Sequence, residues 1–239
     1  MDVSEKRDEL RGIRAIIFDF DGTLAVLNID FPLMRERIIS LIRHFGIEER
    51  AIRERYLLEI IDEVYPMIRE KDSFGAEEFY DRAHQILHEV ELKAAEEGSL
   101  IPGAGGTLRT LRLWGIKVGI VTRNCEEAVR KVFPDIDDYC DVFISRDSVD
   151  KVKPHPDHLN SVLGALKVSG KEAVMVGDHI IDIQAGKKVG MKTVGVLTGR
   201  INREEFEKAG ADYILRDDSE IYPLLKDKRM ECWNSGTME

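Results

Sequence analysis

Two aspartates, Asp19 and Asp21, stand two positions apart after the apolar run "AIIF" and directly before Gly22. In extended backbone, residues two apart face the same way. The two carboxylates can therefore address one reacting group, one as nucleophile and the other as acid–base. Gly22 permits the tight turn that must follow them. Like charges this close repel, and a divalent metal offsets that repulsion. Mg²⁺ takes oxygen ligands and commonly uses one or two carboxylates plus a substrate phosphate. Asp178, closing "AVMVGD", is the candidate partner carboxylate. Thr122, closing "IKVGIVT", offers a hydroxyl, and Lys153, in the loop before Pro154, offers an ammonium. Acids, a hydroxyl and an ammonium on one rim would suit a divalent metal and an anion.

Taken singly, each signal has an ordinary structural reading. Paired aspartates occur on surfaces, a strand-terminal threonine is a β-former, and a lone lysine is solvated. "GDHIID" can be a turn with Asp178 capping the helix that carries Asp182. Specificity lies in the conjunction: the signals come in order, each at or just beyond the end of its own strand.

The elements that must position these residues follow from periodicity. "RAIIFDF" reads as a short buried strand. From about 25 to 98 the texture is helical, with Phe31, Met34, Ile38, Leu41, Ile42 and Phe45 at helical spacing and Gly46 closing that helix. Pro66 marks a kink or an end in the next helical block. A third block, "GAEEFYDRAHQILHEVELKAAEEG", ends at Gly98. "SLIPGAGGTLRTL" is a Pro/Gly-punctuated junction into a helix. Beyond it strands and helices alternate to "DYILRD". Such alternation predicts an α/β fold, a doubly wound parallel sheet with helices on both faces. Ligands in such sheets bind beyond the carboxyl ends of the strands. The expected organisation is an α/β core over 1–24 and 99–239, an inserted all-helical cap over 25–98, and a loose polar tail over 227–239 in which Trp233 could dock.

Composition sets the class. The chain has 239 residues, 43% hydrophobic and 33% charged, with a net charge of −10. It is expected to be globular, with no general nucleic-acid partner. No run approaches the roughly 20 apolar residues that span a bilayer, so no membrane partner is expected. The charged start "MDVSEKRDELRGIR" has no apolar core of a secretory signal. Cys125, Cys140 and Cys232 form no CxxC pair, and reduced thiols in a cytoplasmic setting are expected. "GAGG" at 103–106 fails as a dinucleotide motif because Leu108 stands where a glycine is needed. His155 and His158, beside Lys153, are expected to flank a helix start.

"DFDGTL" resembles the first motif of the haloacid dehalogenase-like hydrolase superfamily; "IVTRN", "VKP" and "GDHIID" are similar to its second, third and fourth. The helical insertion resembles the type-1 cap of the phosphoglycolate phosphatase-like branch. The resemblance implies a Rossmann-like core and a phosphatase using an aspartyl phosphate. Asp19 would attack phosphorus, and Asp21 would protonate the leaving oxygen and then activate water. Thr122 and Lys153 would hold phosphate oxygens, with Lys153 also steadying Asp19. Mg²⁺ would be held by Asp19, Asp178 and the backbone carbonyl of Asp21, with Asp182 supporting from behind. Two positions depart from the pattern. His179 replaces a small hydroxyl residue and is expected beside the metal ligands. Arg123 stands where a small or amide residue is common, and either touches substrate or points to solvent. Asp21 favours a phosphatase over a dehalogenase, whose halide leaves without protonation. A phosphomutase uses the same motifs, and a non-enzymatic metal-dependent binding protein on the same scaffold is the alternative of a different class. The expected substrate is a small phosphorylated metabolite, phosphoglycolate first. Oligomeric state is not legible.

Overall fold

Short apolar runs, each bounded by turn residues, become the six strands of one parallel sheet in the computed structural model, which describes residues 10 and 12–225. The tail over 227–239, with Trp233 and Cys232, lies outside the described residues. In chain order the main elements are β1 (Ala15–Phe18), β2 (Ala25–Val26), α1 (Phe31–His44), α2 (Leu57–Arg69), α3 (Ser73–Ala95), β3 (Ser99–Leu100), α4 (Ala104–Leu113) and β4 (Lys117–Val121). There follow α5 (Glu126–Val132), α6 (Ile136–Tyr139), β5 (Val142–Ile144), α7 (Pro156–Leu166), β6 (Ala173–Gly177), α8 (Ile180–Lys188), β7 (Lys192–Val196), α9 (Arg203–Ala209) and β8 (Tyr213–Leu215). No helix among the described residues is long and apolar enough to cross a membrane.

The sheet order is β5-β4-β1-β6-β7-β8. From β1 the chain builds outward through β4 and β5 on one side, then returns to build β6, β7 and β8 on the other. That reversal makes the carboxyl ends of β4, β1 and β6 the switch point where open α/β sheets form ligand crevices. Register brings the ends together, since Phe18 pairs with both Ile120 and Val176. Asp19, Thr122 and Asp178 therefore leave the sheet on one rim. All four residues of β1 are buried, as expected of a central strand covered on both faces. On one face Ala15, Ile17, Val121 and Met175 pack with Leu159, Val162 and Leu163 of α7. Farther along the same face, Phe206 of α9 lies so close to β7 that a Cβ on Gly195 would sit 2.6 Å from its ring.

The chain divides into two compact units. Residues up to Leu27 and from Gly98 onward form one, and Asn28–Glu97 form the other. The second unit is helical: Asp30 caps α1 by accepting from Leu33 N at 2.9 Å, and Asp72 caps α3. Gly46, at φ +73°, ends α1 in the left-handed conformation. Pro66 lies inside α2, which runs on to Arg69. Lacking an N–H, the proline forfeits one intrahelical bond, and the helix continues past the loss. Between α1 and α2 the chain is not continuously helical: 49–51 form one 3₁₀ turn, with irregular backbone up to Tyr56. Residues 25–26, read as the start of the helical segment, instead pair antiparallel with 99–100. Two residues are too short to show a period, and their partners are over 70 positions away.

The close seat of Phe206 yields a test of the sheet packing. Gly195→Ala should destabilise the protein by about 1–3 kcal/mol through overpacking. Chemical denaturation measures it, and an unchanged midpoint would contradict the packing described.

Candidate active site

Lys153 is the centre of the site. Its side chain is 1% exposed. The ammonium donates to Asp19 Oδ1 at 2.8 Å, to Asp182 Oδ1 at 2.7 Å and to the Val121 carbonyl at 3.1 Å. An ammonium has three protons, so all three are matched by oxygens. Asp182 is equally inaccessible at 2%, whereas Asp19 is 14% exposed. Of the two carboxylates on Lys153, Asp19 is therefore the one a ligand can reach. Burial pulls the lysine toward its neutral form, but Asp182 and Asp19 outweigh it and raise its pKa above the ordinary value.

Asp182 sits in the first turn of α8 and is held at its other oxygen by His179 N–H at 3.1 Å. His179 Nδ1 accepts from Ile181 N at 3.2 Å. The helix is thus started by a capping box whose cap is a histidine, His179, and not Asp178. This arrangement leaves the Asp178 carboxylate facing Asp19. One oxygen from each of Asp19, Asp178 and Asp182 lies within 4.8 Å of the others. Burial raises the pKa of Asp178 strongly, and the neighbouring Asp19, Asp182 and Asp21 add to the shift, with Lys153 opposing. Asp19 is raised too, first by burial, with Lys153 pulling against it.

Two glycines make room for Asp178. A Cβ on Gly22, which sits at φ +82°, would fall 2.2 Å from Asp178 Oδ2, and one on Gly199 would fall 1.9 Å away. Thr198 donates its hydroxyl to the Gly22 carbonyl, tying the loop after β7 to the turn after β1. The donor set suits a hard divalent cation: three carboxylates stand against one ammonium, all the ligand atoms are oxygen, and Gly22 and Gly199 put no side chain against the Asp178 carboxylate. Asp21 is half-buried, and its Oδ1 accepts from Leu27 N at 2.9 Å.

Thr122 is at the expected strand end but buried, and its hydroxyl is tied to Asn124. It donates to Asn124 Oδ1 at 3.3 Å and accepts from Asn124 N at 3.2 Å. Arg123 is half-buried. Its guanidinium donates to the backbone carbonyl of Lys153. Sequence reasoning missed Gly199, which carries no signal beyond its own smallness, and Asn124. It also left His158 as a flank of the helix start. His158 is wholly buried, and its Nδ1 accepts the Lys153 N–H at 3.1 Å. His155 does cap α7, accepting from Asp157 N at 3.3 Å.

Known proteins share this arrangement of elements. The family model described as haloacid dehalogenase-like hydrolase matches residues 16–196. The chain is 31% identical over 220 residues to pyrophosphatase PpaX of Bacillus cereus, covering 90% of this chain and 97% of that protein. A HAD phosphatase from Thermococcus onnurineus, a solved structure, is 29% identical with a TM-score of 0.58, over 89% of this chain and 98% of that one. CbbY from Rhodobacter sphaeroides, solved in complex with phosphate, is 24% identical with a TM-score of 0.58, over 87% and 96%, and shows likeness of fold alone.

The buried histidine gives the site an acid signature. Burial and then the Lys153 cation push the His158 pKa down to about 3. An unfolded histidine titrates near 6.5, so below that pH the unfolded chain binds a proton that the folded one refuses. Stability from this group is complete above about pH 6.5 and is lost as pH falls toward 3. Between pH 7 and pH 5 the wild type should lose about 2 kcal/mol more than His158→Asn, which has no such group. Urea denaturation at the two pH values measures the difference, and equal losses would contradict a neutral buried imidazole.

Proposed function

The chain belongs to the haloacid dehalogenase-like hydrolase family, and on that premise we propose that it is a Mg²⁺-dependent phosphatase working through an aspartyl phosphate on Asp19. The observation that carries the reading is the ammonium of Lys153 held between Asp19 and Asp182, with Asp178 beside them. Lys153 fixes one oxygen of Asp19 and leaves Oδ2 for attack. A carboxylate so held is pre-oriented, which removes part of the entropy cost of reaching the transition state.

In the first step Asp19 Oδ2 bonds to phosphorus as the bond to the leaving oxygen breaks, and Asp21 gives that oxygen a proton. In the second, Asp21 takes a proton from water, which attacks phosphorus and returns Asp19 as a carboxylate. The hydrogen bond from Leu27 N to Asp21 Oδ1 orients the acid–base. Because the three protons of Lys153 already have protein partners, its part is assigned to holding Asp19 and Asp182 rather than to gripping phosphate. Phosphate contacts are assigned to the Thr122 hydroxyl, once released by Asn124, and to backbone N–H groups of the turn after Asp19. Mg²⁺ would be held by Asp19, Asp178 and the Asp21 carbonyl, with Asp182 behind them, and would supply charge neutralisation for the attacked phosphoryl group.

The substrate is assigned to small phosphorylated compounds, in a cytoplasmic setting. Because the PpaX relative is a pyrophosphatase, inorganic pyrophosphate moves ahead of phosphoglycolate as the first compound to test. Substrate choice is assigned to the helical unit Asn28–Glu97, which holds none of these side chains.

Asp19→Asn should abolish phosphate release from pyrophosphate and from a panel of phosphate monoesters without loss of folding. EDTA should do the same reversibly, with Mg²⁺ restoring activity. Activity surviving in Asp19→Asn would sink the covalent mechanism, and full activity in chelator would sink the metal. A phosphomutase would release no net phosphate while interconverting sugar phosphates.

The acid–base role gives a second test. Asp21→Asn should cost about 10²–10⁴-fold on alkyl phosphates and much less on an activated aryl phosphate, whose leaving oxygen needs little protonation. Equal losses on both would remove Asp21 from that role.

A further inference from the structure

Lys153 reaches Asp19 and Asp182 through a flexible four-carbon stem, and its backbone is gripped on both sides. The N–H of Lys153 donates to His158 Nδ1 at 3.1 Å, and its carbonyl accepts from the Arg123 guanidinium. The next residue, Pro154, has its carbonyl held by Lys188 Nζ at 3.0 Å. His158 is itself wholly buried. It lies in the first turn of α7, between the cap at His155 and the core contacts of Leu159 and Val162. An apolar residue would fill this wholly buried position with no desolvation cost. Of its two ring nitrogens, Nε2 is buried without a hydrogen bond, so the one hydrogen bond the imidazole makes is that at Nδ1 with the Lys153 amide.

We propose that His158 is a positioning residue for the reaction: its Nδ1 fixes the Lys153 backbone so that the ammonium lands between Asp19 and Asp182. The inference rests on Asp19 being the attacking carboxylate. Rigid packing of α7 on the sheet is thereby transmitted through one imidazole to one backbone amide, and from there along the lysine to the nucleophile. Arg123 closes the same grip from the carbonyl side. The imidazole accepts at Nδ1, so its proton is on Nε2. Burial and the Lys153 cation keep it neutral, with a pKa near 3, so the acceptor persists across the working pH range.

The test compares two near-isosteric replacements. In His158→Asn the side-chain Oδ1 occupies the place of Nδ1, whereas His158→Leu puts a methyl group there. His158→Asn should keep most of the turnover. His158→Leu should lose kcat by about 10- to 100-fold, the cost of a displacement near 1 Å at the reacting group. KM should be little changed in both, and circular dichroism at the assay temperature should show both folded, with the lower thermal midpoint in His158→Leu, which leaves the buried Lys153 N–H unpaired. If His158→Leu does not fold, His158→Met takes its place, filling the same volume without an acceptor at that atom. Wild-type turnover in His158→Leu, or equal losses in both variants, would overturn the proposal. If the wild type itself releases phosphate from no compound, or Asp19→Asn is as active as the wild type, the reading of Asp19 has failed instead. A crystal structure of the apolar variant then decides the positioning claim alone. Lys153 Nζ displaced from Asp19 supports it, and an unchanged contact overturns it.

Discussion

An ammonium buried between two carboxylates is the constraint around which this unit is arranged. Removing a charge from water costs several kcal/mol even after relaxation, and a buried ion pair repays that only with close geometry and full hydrogen bonding. Lys153 meets the condition with three oxygen partners within 3.1 Å. Each comes from a different element: Asp19 from the end of β1, Val121 from the end of β4, and Asp182 from the first turn of α8. The lysine is thus satisfied only when these three have converged.

The convergence follows from topology. Because β1 lies between β4 and β6, the reversal of strand order falls at the one place where three strand ends can meet. The same register that pairs Phe18 with Ile120 and Val176 sets Asp19, Thr122 and Asp178 on a common rim. Around them small residues clear the space. Gly22 and Gly199 let backbone approach the Asp178 carboxylate, where any side chain would collide with it. Local conformation and site geometry are therefore one problem here.

Electrostatics then connects the arrangement to chemistry. With Asp19, Asp178 and Asp182 against Lys153, three acids face one base at a buried rim, and burial first, with the neighbouring carboxylates adding, raises the pKa values of Asp19 and Asp178. A divalent cation bound there would offset the repulsion among the carboxylates. The chain as a whole is also acidic, at −10, so an anionic substrate must be recognised by local features and not by a general positive field. Groups held by the protein before substrate arrives need little reorganisation as charge develops, which is the economy an electrostatic catalyst depends on.

Much of this was legible from the sequence alone. The apolar runs, their alternation with helical periods, and the polar residue closing each run follow from short-range rules: side-chain period, turn chemistry and burial. The α/β class and Asp19, Thr122 and Asp178 at the carboxyl ends of their strands come directly from those rules. What only the tertiary structure decided are the relations between distant positions. Arg123 grips a carbonyl 30 residues on. A histidine, not Asp178, starts α8, and β2 pairs with a strand more than 70 residues later instead of opening a helix. His158 is an ordinary helix-start residue in one dimension and the holder of Lys153 in three. Periodicity says which way a residue faces along its own element. What it meets there is set by long-range packing, and no local pattern encodes the partner.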